Sequence, residues 1–162
     1  MPWRPMTAAD LPDVLALADR LHPGYPESPA VFADRLALAP GFCRMLPGLG
    51  YAIAHPWAGQ APPPLDTVLG ILPAAPDRLH LHDIALHPEA RGTGQAAAVV
   101  AALLADATAL GLGHAGLLAL PGKADYWARL GFRPAAWPPG PALASYGPDA
   151  LPMERALSRS AP

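Results

Sequence analysis

The stretch Leu79-His80-Leu81-His82-Asp83-Ile84-Ala85-Leu86-His87-Pro88-Glu89-Ala90-Arg91-Gly92-Thr93-Gly94-Gln95-Ala96 constrains the fold more than any other part of the chain. Its first half alternates as a strand, with Leu79, Leu81, Asp83 and Ala85 on one side and His80, His82, Ile84 and Leu86 on the other. Pro88 cannot donate to a sheet ladder, so the strand is expected to end near His87. The small residues Arg91-Gly92-Thr93-Gly94 form a turn, and Gln95 to Thr108 is nearly all Ala, Leu and Val, a composition that favours helix. A glycine-bearing turn that opens a helix directs backbone N–H groups and the positive end of the helix dipole at one point, a place for an anion such as a phosphate. On its own, a Gly-x-Gly turn can equally be a tight connection and nothing more.

At 162 residues the chain suits one domain, 1–162, with a substantial core. Hydrophobic residues make up 52% of it, which is globular composition. A net charge of −2 without a basic run argues against a nucleic-acid-binding face. The lone cysteine, Cys43, rules out an internal disulfide framework and any cysteine-based metal site, and reads as a small buried hydrophobe. Neither a signal-peptide layout at Met1-Pro2-Trp3-Arg4-Pro5 nor an apolar run of about 18 residues is present, so a cytoplasmic protein away from membranes is expected.

Along the chain, Thr7 and Asp10 mark a helix start ahead of the stripe Leu11, Val14, Leu15, Ala18, Leu21. The Pro/Gly segment His22 to Pro29 reads as a loop, either a lid or a plain connector, and Ser28 as the cap of a second helix to Ala39. Phe42–Leu46 and Tyr51–His55 are predicted strands around a Pro47-Gly48-Leu49-Gly50 hairpin turn. Pro56 to Arg78 is loop-rich. Gly111 stops the long helix, His114–Leu120 is a parallel neighbour of the first strand through a right-handed crossover, and Lys123–Leu130 is a short helix. A strand begins at Phe132, and Ala142–Tyr146 with Leu151–Leu157 is expected to close the sheet as an antiparallel hairpin. This order predicts an α/β domain with a mixed sheet.

Two motifs then carry a resemblance. Leu86-x-Pro88-x-x-Arg91-Gly92-x-Gly94-x-Ala96 resembles the acetyl-CoA motif of the GNAT N-acetyltransferase superfamily, and Tyr126-Trp127-Ala128-Arg129-Leu130-Gly131-Phe132 resembles its second motif. His80-Leu81-His82-x-x-Ala85-x-His87 is similar to the central strand of the arylalkylamine (serotonin) N-acetyltransferases, in which two strand histidines help to deprotonate the amine. The resemblance implies a mostly antiparallel sheet whose central parallel strand pair splays, with acetyl-CoA wedged between. Ile84, Ala85 and Leu86 would bind its pantetheine arm, and Arg91, Gly92, Thr93, Gly94, Gln95, Ala96 and Ala97 its pyrophosphate, with Trp127 and Arg129 also placed against it. No metal is implied. The partner would be a small-molecule amine, not nucleic acid or membrane, and a homodimer is compatible with the sequence.

Acetyl transfer to an amine needs a base, a donor to the oxyanion and, usefully, an acid for the thiolate. The oxyanion donor would be the Leu86 N–H by resemblance. His80 and His82 share a strand face and titrate near neutrality, which suits a base; Asp83 belongs to the opposite face of a regular strand and reads as structural. The family's usual acid is a tyrosine where this chain has Trp127, which leaves Tyr126, Tyr146 or an unassisted thiolate. Tyr25, Leu118 and Tyr146, with Trp57, are candidates to line the acceptor pocket, and no acidic cluster suits a polycationic acceptor. An acyl-CoA sensor without turnover is the rival reading. A nucleotide-phosphate loop is not, because Gln95-Ala96-Ala97 lacks the Lys-Ser/Thr that would follow the glycines.

Overall fold

The computed structural model describes residues 2–158, so Met1 and residues 159–162 at the ends of the expected domain lie outside the described part. The elements run β1 (Arg4–Pro5), α1 (Leu11–Leu21), α2 (Pro29–Leu38), β2 (Cys43–Leu46), β3 (Gly50–Trp57), β4 (Arg78–Leu86), α3 (Gln95–Ala109), β5 (His114–Ala119), α4 (Ala124–Arg129), β6 (Arg133–Pro134), α5 (Pro141–Ala144) and β7 (Leu151–Ala156). Seven strands form one sheet in the order β1-β2-β3-β4-β5-β7-β6. Every neighbouring pair is antiparallel except β4 and β5, which are parallel. This is the expected mixed, mostly antiparallel sheet.

Each face of the sheet has its own core. Val14 and Leu17 of α1 and Phe32 and Leu36 of α2 pack on Cys43, Met45, Tyr51, Ile53 and Ala85. On the other face Val99, Val100, Leu103, Leu104 and Ala107 of α3 meet Ala52, Ala54, Leu79, Leu81, Ala115 and Leu117, and Trp127 of α4 joins them. The α3 sequence is apolar nearly all round, and it buries five residues against the sheet. Truncating the fully buried Leu103 to Ala would cost about 2–5 kcal/mol. The Asp10 carboxylate accepts from the Thr7 N–H at 2.8 Å, as expected of this helix start, and also binds Arg4.

Two features of β4 position the site. It pairs with β5 only through Arg78–His114, Leu79–Ala115 and His80–Gly116. Beyond His80 the strands part, while β4 stays on β3 as far as Leu86–Gly50. The second feature corrects the expected alternation. Ile53 faces Asp83 but Ala54 faces Leu81, so His82 is an extra residue on β4, a β-bulge. A bulge resets the period of two. Asp83 therefore meets Tyr51 and His22 on the α1 side, the side of His80 and His82, while Ile84 packs with Leu79 and Leu81 on the α3 side.

The chain end also departs from expectation. Ala142–Tyr146 is not a strand: Pro141–Ala144 makes one helical turn, and β7 alone inserts between β5 and β6. Pro141 suits a first helical position, and five residues are too few to separate a period of 2 from 3.6.

Candidate functional site

The turn between β4 and α3 is built as an anion cradle. Gly92 and Gly94 hold φ of 74° and 80°, left-handed values that glycine adopts without strain, and Gly94 caps α3. The first ladder bond of α3 runs from the Ala98 N–H to the Gly94 carbonyl at 3.0 Å, so the first-turn amides face the loop. Gly92, Thr93 and Gly94 are exposed there, with Gln95 and Ala96 half-buried and Ala97 exposed. The Trp3 indole N–H ties down the Gln95 carbonyl at 2.9 Å. Arg91 reaches back from the turn and its Nε donates to the Leu86 carbonyl at 3.2 Å. The edge of β4 from Leu81 to Leu86, which includes Ile84 and Ala85, has no β5 partner. Splayed edge and cradle are contiguous, and a chain with an extended polar arm and a pyrophosphate fits them.

Against the α1–α2 face of β4 lies a cluster of three imidazoles. His80 and His82 are joined by His55 of β3, with ring centroids 5.4 Å (His55–His80), 6.2 Å (His55–His82) and 5.9 Å (His80–His82) apart. Burial lowers the pKa of His80 well below 6.5, aided by the charges that His55 and His82 would carry, so it stays neutral at neutral pH. Burial takes His55 down to about 3. His82 is different: its Nε2 is 2.7 Å from Glu27 Oε1. A carboxylate only accepts, so Nε2 carries the proton and Nδ1 is left as the basic nitrogen; Nδ1 is buried and meets no partner among the described residues. Glu27 is held in turn by the Asp66 N–H at 3.0 Å, and the Asp66 carboxylate takes the Ser28 N–H. Despite three imidazoles, no group of three His, Cys, Asp or Glu among the described residues is arranged to hold a metal ion.

Asp83 has its oxygens occupied, by the Tyr51 hydroxyl at 2.6 Å and His22 Nδ1 at 2.9 Å. That hydrogen bond raises the His22 pKa, against burial and against the charges of Lys123 and Arg91. Tyr126 on α4 has a buried hydroxyl with no partner among the described residues, and burial raises its pKa. Trp127 stacks edge-on to Phe132 at 5.5 Å in the α3-side core, and Arg129 is exposed at the end of α4. Tyr146 is buried, its hydroxyl donating to the Pro63 carbonyl at 3.1 Å. Tyr25 is half-buried in the α1–α2 loop, and Leu118 is half-buried on β5, pointing away from the α3-side core.

Residues 49–132 match the model of the acetyltransferase (GNAT) family, just over half of the chain. The chain belongs to the GNAT acetyltransferase family. Solved structures of GNAT proteins resemble it over its whole length at low identity. GphF, a GNAT-like decarboxylase in complex with isobutyryl-CoA, superposes with TM-score 0.77 at 17% identity over 98% of this chain and 100% of that one. The ribosomal-protein-S18-alanine N-acetyltransferase from Escherichia coli gives 0.64 at 20% identity over 98% and 95%. N-acetylglutamate synthase from Neisseria gonorrhoeae, with coenzyme A and N-acetyl-glutamate, gives 0.73 at 18% identity, over 97% of this chain but 35% of that one. No curated protein sequence matches this chain. The neighbours establish the fold, and two of the three were solved with CoA or an acyl-CoA. The serotonin N-acetyltransferase subgroup is not singled out among them.

Within this GNAT chain, sequence reading missed Glu27, His55 and Arg35, a buried α2 residue whose charge opposes protonation of His55 and His80. Glu27 was one acidic residue in a loop without a pattern. His55 faces His80 across β3 and β4, but a long loop, 58–77, joins those strands, so no hairpin turn fixed the register in advance. Arg35 fell on the apolar stripe of α2, where an arginine is legible only as an anomaly.

Proposed function

We propose that this GNAT chain moves the acetyl group of acetyl-CoA to the primary amine of a small molecule, with a preference for aryl- and alkylamines, and that His82 takes the amine's proton. The supporting observation is the His82–Glu27 pair beside the point where β4 leaves β5. Acetyl-CoA supplies the activated acyl group on the cradle and the β4 edge. Glu27 fixes the tautomer and orientation of His82, so that Nδ1 faces the acceptor with a lone pair, and the carboxylate stabilises the imidazolium once the proton arrives. His80 and His55 stay neutral and add no competing charge. Tyr126, protonated at neutral pH, is the proton donor to the departing thiolate, with Trp127 as its packing support.

The test is thiol release from acetyl-CoA with a panel of aryl- and alkylamines. Turnover with at least one small primary amine is expected. Tight acetyl-CoA binding with no release across the panel would sink this reading in favour of an acyl-CoA sensor.

A further inference from the structure

An arm that enters from the glycine turn and lies along the free edge of β4 has a fixed end point. β4 and β5 pair at His80–Gly116, so the gap between them closes there. With pantetheine on Leu86, Ala85 and Ile84, as proposed above, the thioester comes next, beside Leu81, His82 and Asp83. The bulge at His82 brings two consecutive side chains, His82 and Asp83, to the α1 side of the sheet. Each belongs to an imidazole–carboxylate pair: His82 with Glu27 at 2.7 Å, and Asp83 with His22 at 2.9 Å.

The two pairs differ in what can reach them. The side chains of His82 and Glu27 are 2% and 5% exposed, whereas those of His22 and Asp83 are 23% and 12% exposed. Water therefore reaches the second pair in the structure as it stands. Burial raises the Tyr51 pKa well above 10, so its hydroxyl stays protonated and donates to Asp83 at 2.6 Å. The other Asp83 oxygen takes the proton on His22 Nδ1, which leaves Nε2 with the lone pair. A carboxylate that fixes the tautomer and holds the ring, and stabilises the imidazolium once formed, makes that imidazole a general base.

We infer that the chain has a second activity, hydrolysis of acetyl-CoA when no amine occupies the site, with His22 as the base and Asp83 as its positioning residue. The inference takes from the proposed function only the course of acetyl-CoA along β4. A water oxygen adds to the thioester carbonyl carbon while one of its protons passes to His22 Nε2. The C–S bond breaks with its electron pair on sulfur, and the proton held by His22 goes to the thiolate. The acetic acid ionises in solvent, so acetyl-CoA and water become acetate, CoA thiol and one proton.

The test is release of acetate and thiol from acetyl-CoA in an amine-free buffer, followed by NMR and a thiol reagent. Equal amounts of both are expected, at least about tenfold faster than in buffer alone. His22→Gln should lower the rate about 100-fold, and Asp83→Asn, which removes the charge and keeps the shape, about tenfold or more. The hydrogen bond to Asp83 raises the His22 pKa from 6.5, against burial and the charges of Lys123 and Arg91, and a base must be neutral to act. The wild-type rate should therefore rise with pH through a midpoint above 6.5, and the His22 ring proton should titrate at that same midpoint by NMR. His22→Gln should lose the midpoint from its residual rate. A bond that merely latched α1 to β4 would change the melting temperature and leave the rate midpoint in place. Acetate formation no faster than in buffer, a rate midpoint that differs from the NMR midpoint, or a folded His22→Gln with the wild-type profile overturns the inference. If neither variant folds, the two wild-type midpoints decide. Amine acetylation without acetate formation leaves acetyl transfer standing and overturns hydrolysis. Acetate formation with no amine acetylated supports hydrolysis and overturns acetyl transfer.

Discussion

His82 differs from the two imidazoles beside it in having a carboxylate partner. His55 gives its proton to a backbone carbonyl and His80 is buried among the other rings, so for both the charged form is the costly one. Linkage fixes the sign of that cost: with folded pKa values below 6.5, their neutral forms favour the fold fully above pH 6.5 and this contribution is lost as the pH falls below 6.5, for His55 down to about 3. Of the three rings, His82 alone has a carboxylate, Glu27, against its Nε2. Tyr126 is the second residue whose role can be isolated. Its hydroxyl is buried without a partner among the described residues, so Tyr126→Phe removes no hydrogen bond that stabilises the fold. Thermal denaturation of Tyr126→Phe should give a midpoint equal to or above wild type, while kcat drops about 10–100-fold if the phenol protonates the thiolate. A variant with full kcat would mean that the thiolate leaves unassisted.

At the scale of elements, β4 carries most of the design, and half of it was readable in the sequence. Strand, Gly turn and long helix follow from composition and period alone, and the parallel placement of β5 follows from the crossover helix. The bulge at His82 was not readable, because a bulge is a property of the β3 pairing and not of β4's own residues. It carries Asp83 to the histidine side, where Tyr51 and His22 occupy it. At the chain end the strand expected at Leu151–Leu157 forms as β7, held by β5 and β6, whereas Ala142–Tyr146 had no strand partner and is not a strand. Gly50 tests how tightly β3 holds the β4 edge. A Cβ there would sit 2.6 Å from the Ala85 carbonyl oxygen and 2.7 Å from Leu86 Cδ2. Gly50→Ala should therefore destabilise by about 1–3 kcal/mol and, if the proposed pantetheine contacts of Ala85 and Leu86 hold, weaken acetyl-CoA binding. Gly41→Ala, which meets nothing within 4 Å, serves as the neutral control in the same melting and titration series.

Over the whole molecule, the glycine turn and the unpaired β4 edge lie where β4 and β5 part, and the buried imidazole cluster is tied to the α1–α2 loop through Glu27. That loop and the loop 58–77 are interlocked through Glu27, Ser28 and Asp66, and Asp66 adopts a φ of 55°, a left-handed conformation that strains a non-glycine residue. Those contacts span residues nearly forty apart in a Pro-rich sequence with no periodicity, which is why Glu27 stayed dark in the sequence while the glycine turn was plain. No helix among the described residues is long and apolar enough to cross a membrane. The account turns on His82 as the base, and the pH dependence of kcat/KM tests that most directly, measured for wild type and His82→Gln with the best acceptor in the panel. Wild type should keep its kcat/KM down to lower pH than the variant. His82→Gln should fall about 100-fold at neutral pH and reach its optimum at higher pH, where the amine deprotonates unaided. A His82→Gln profile that superimposes on wild type would contradict the assignment.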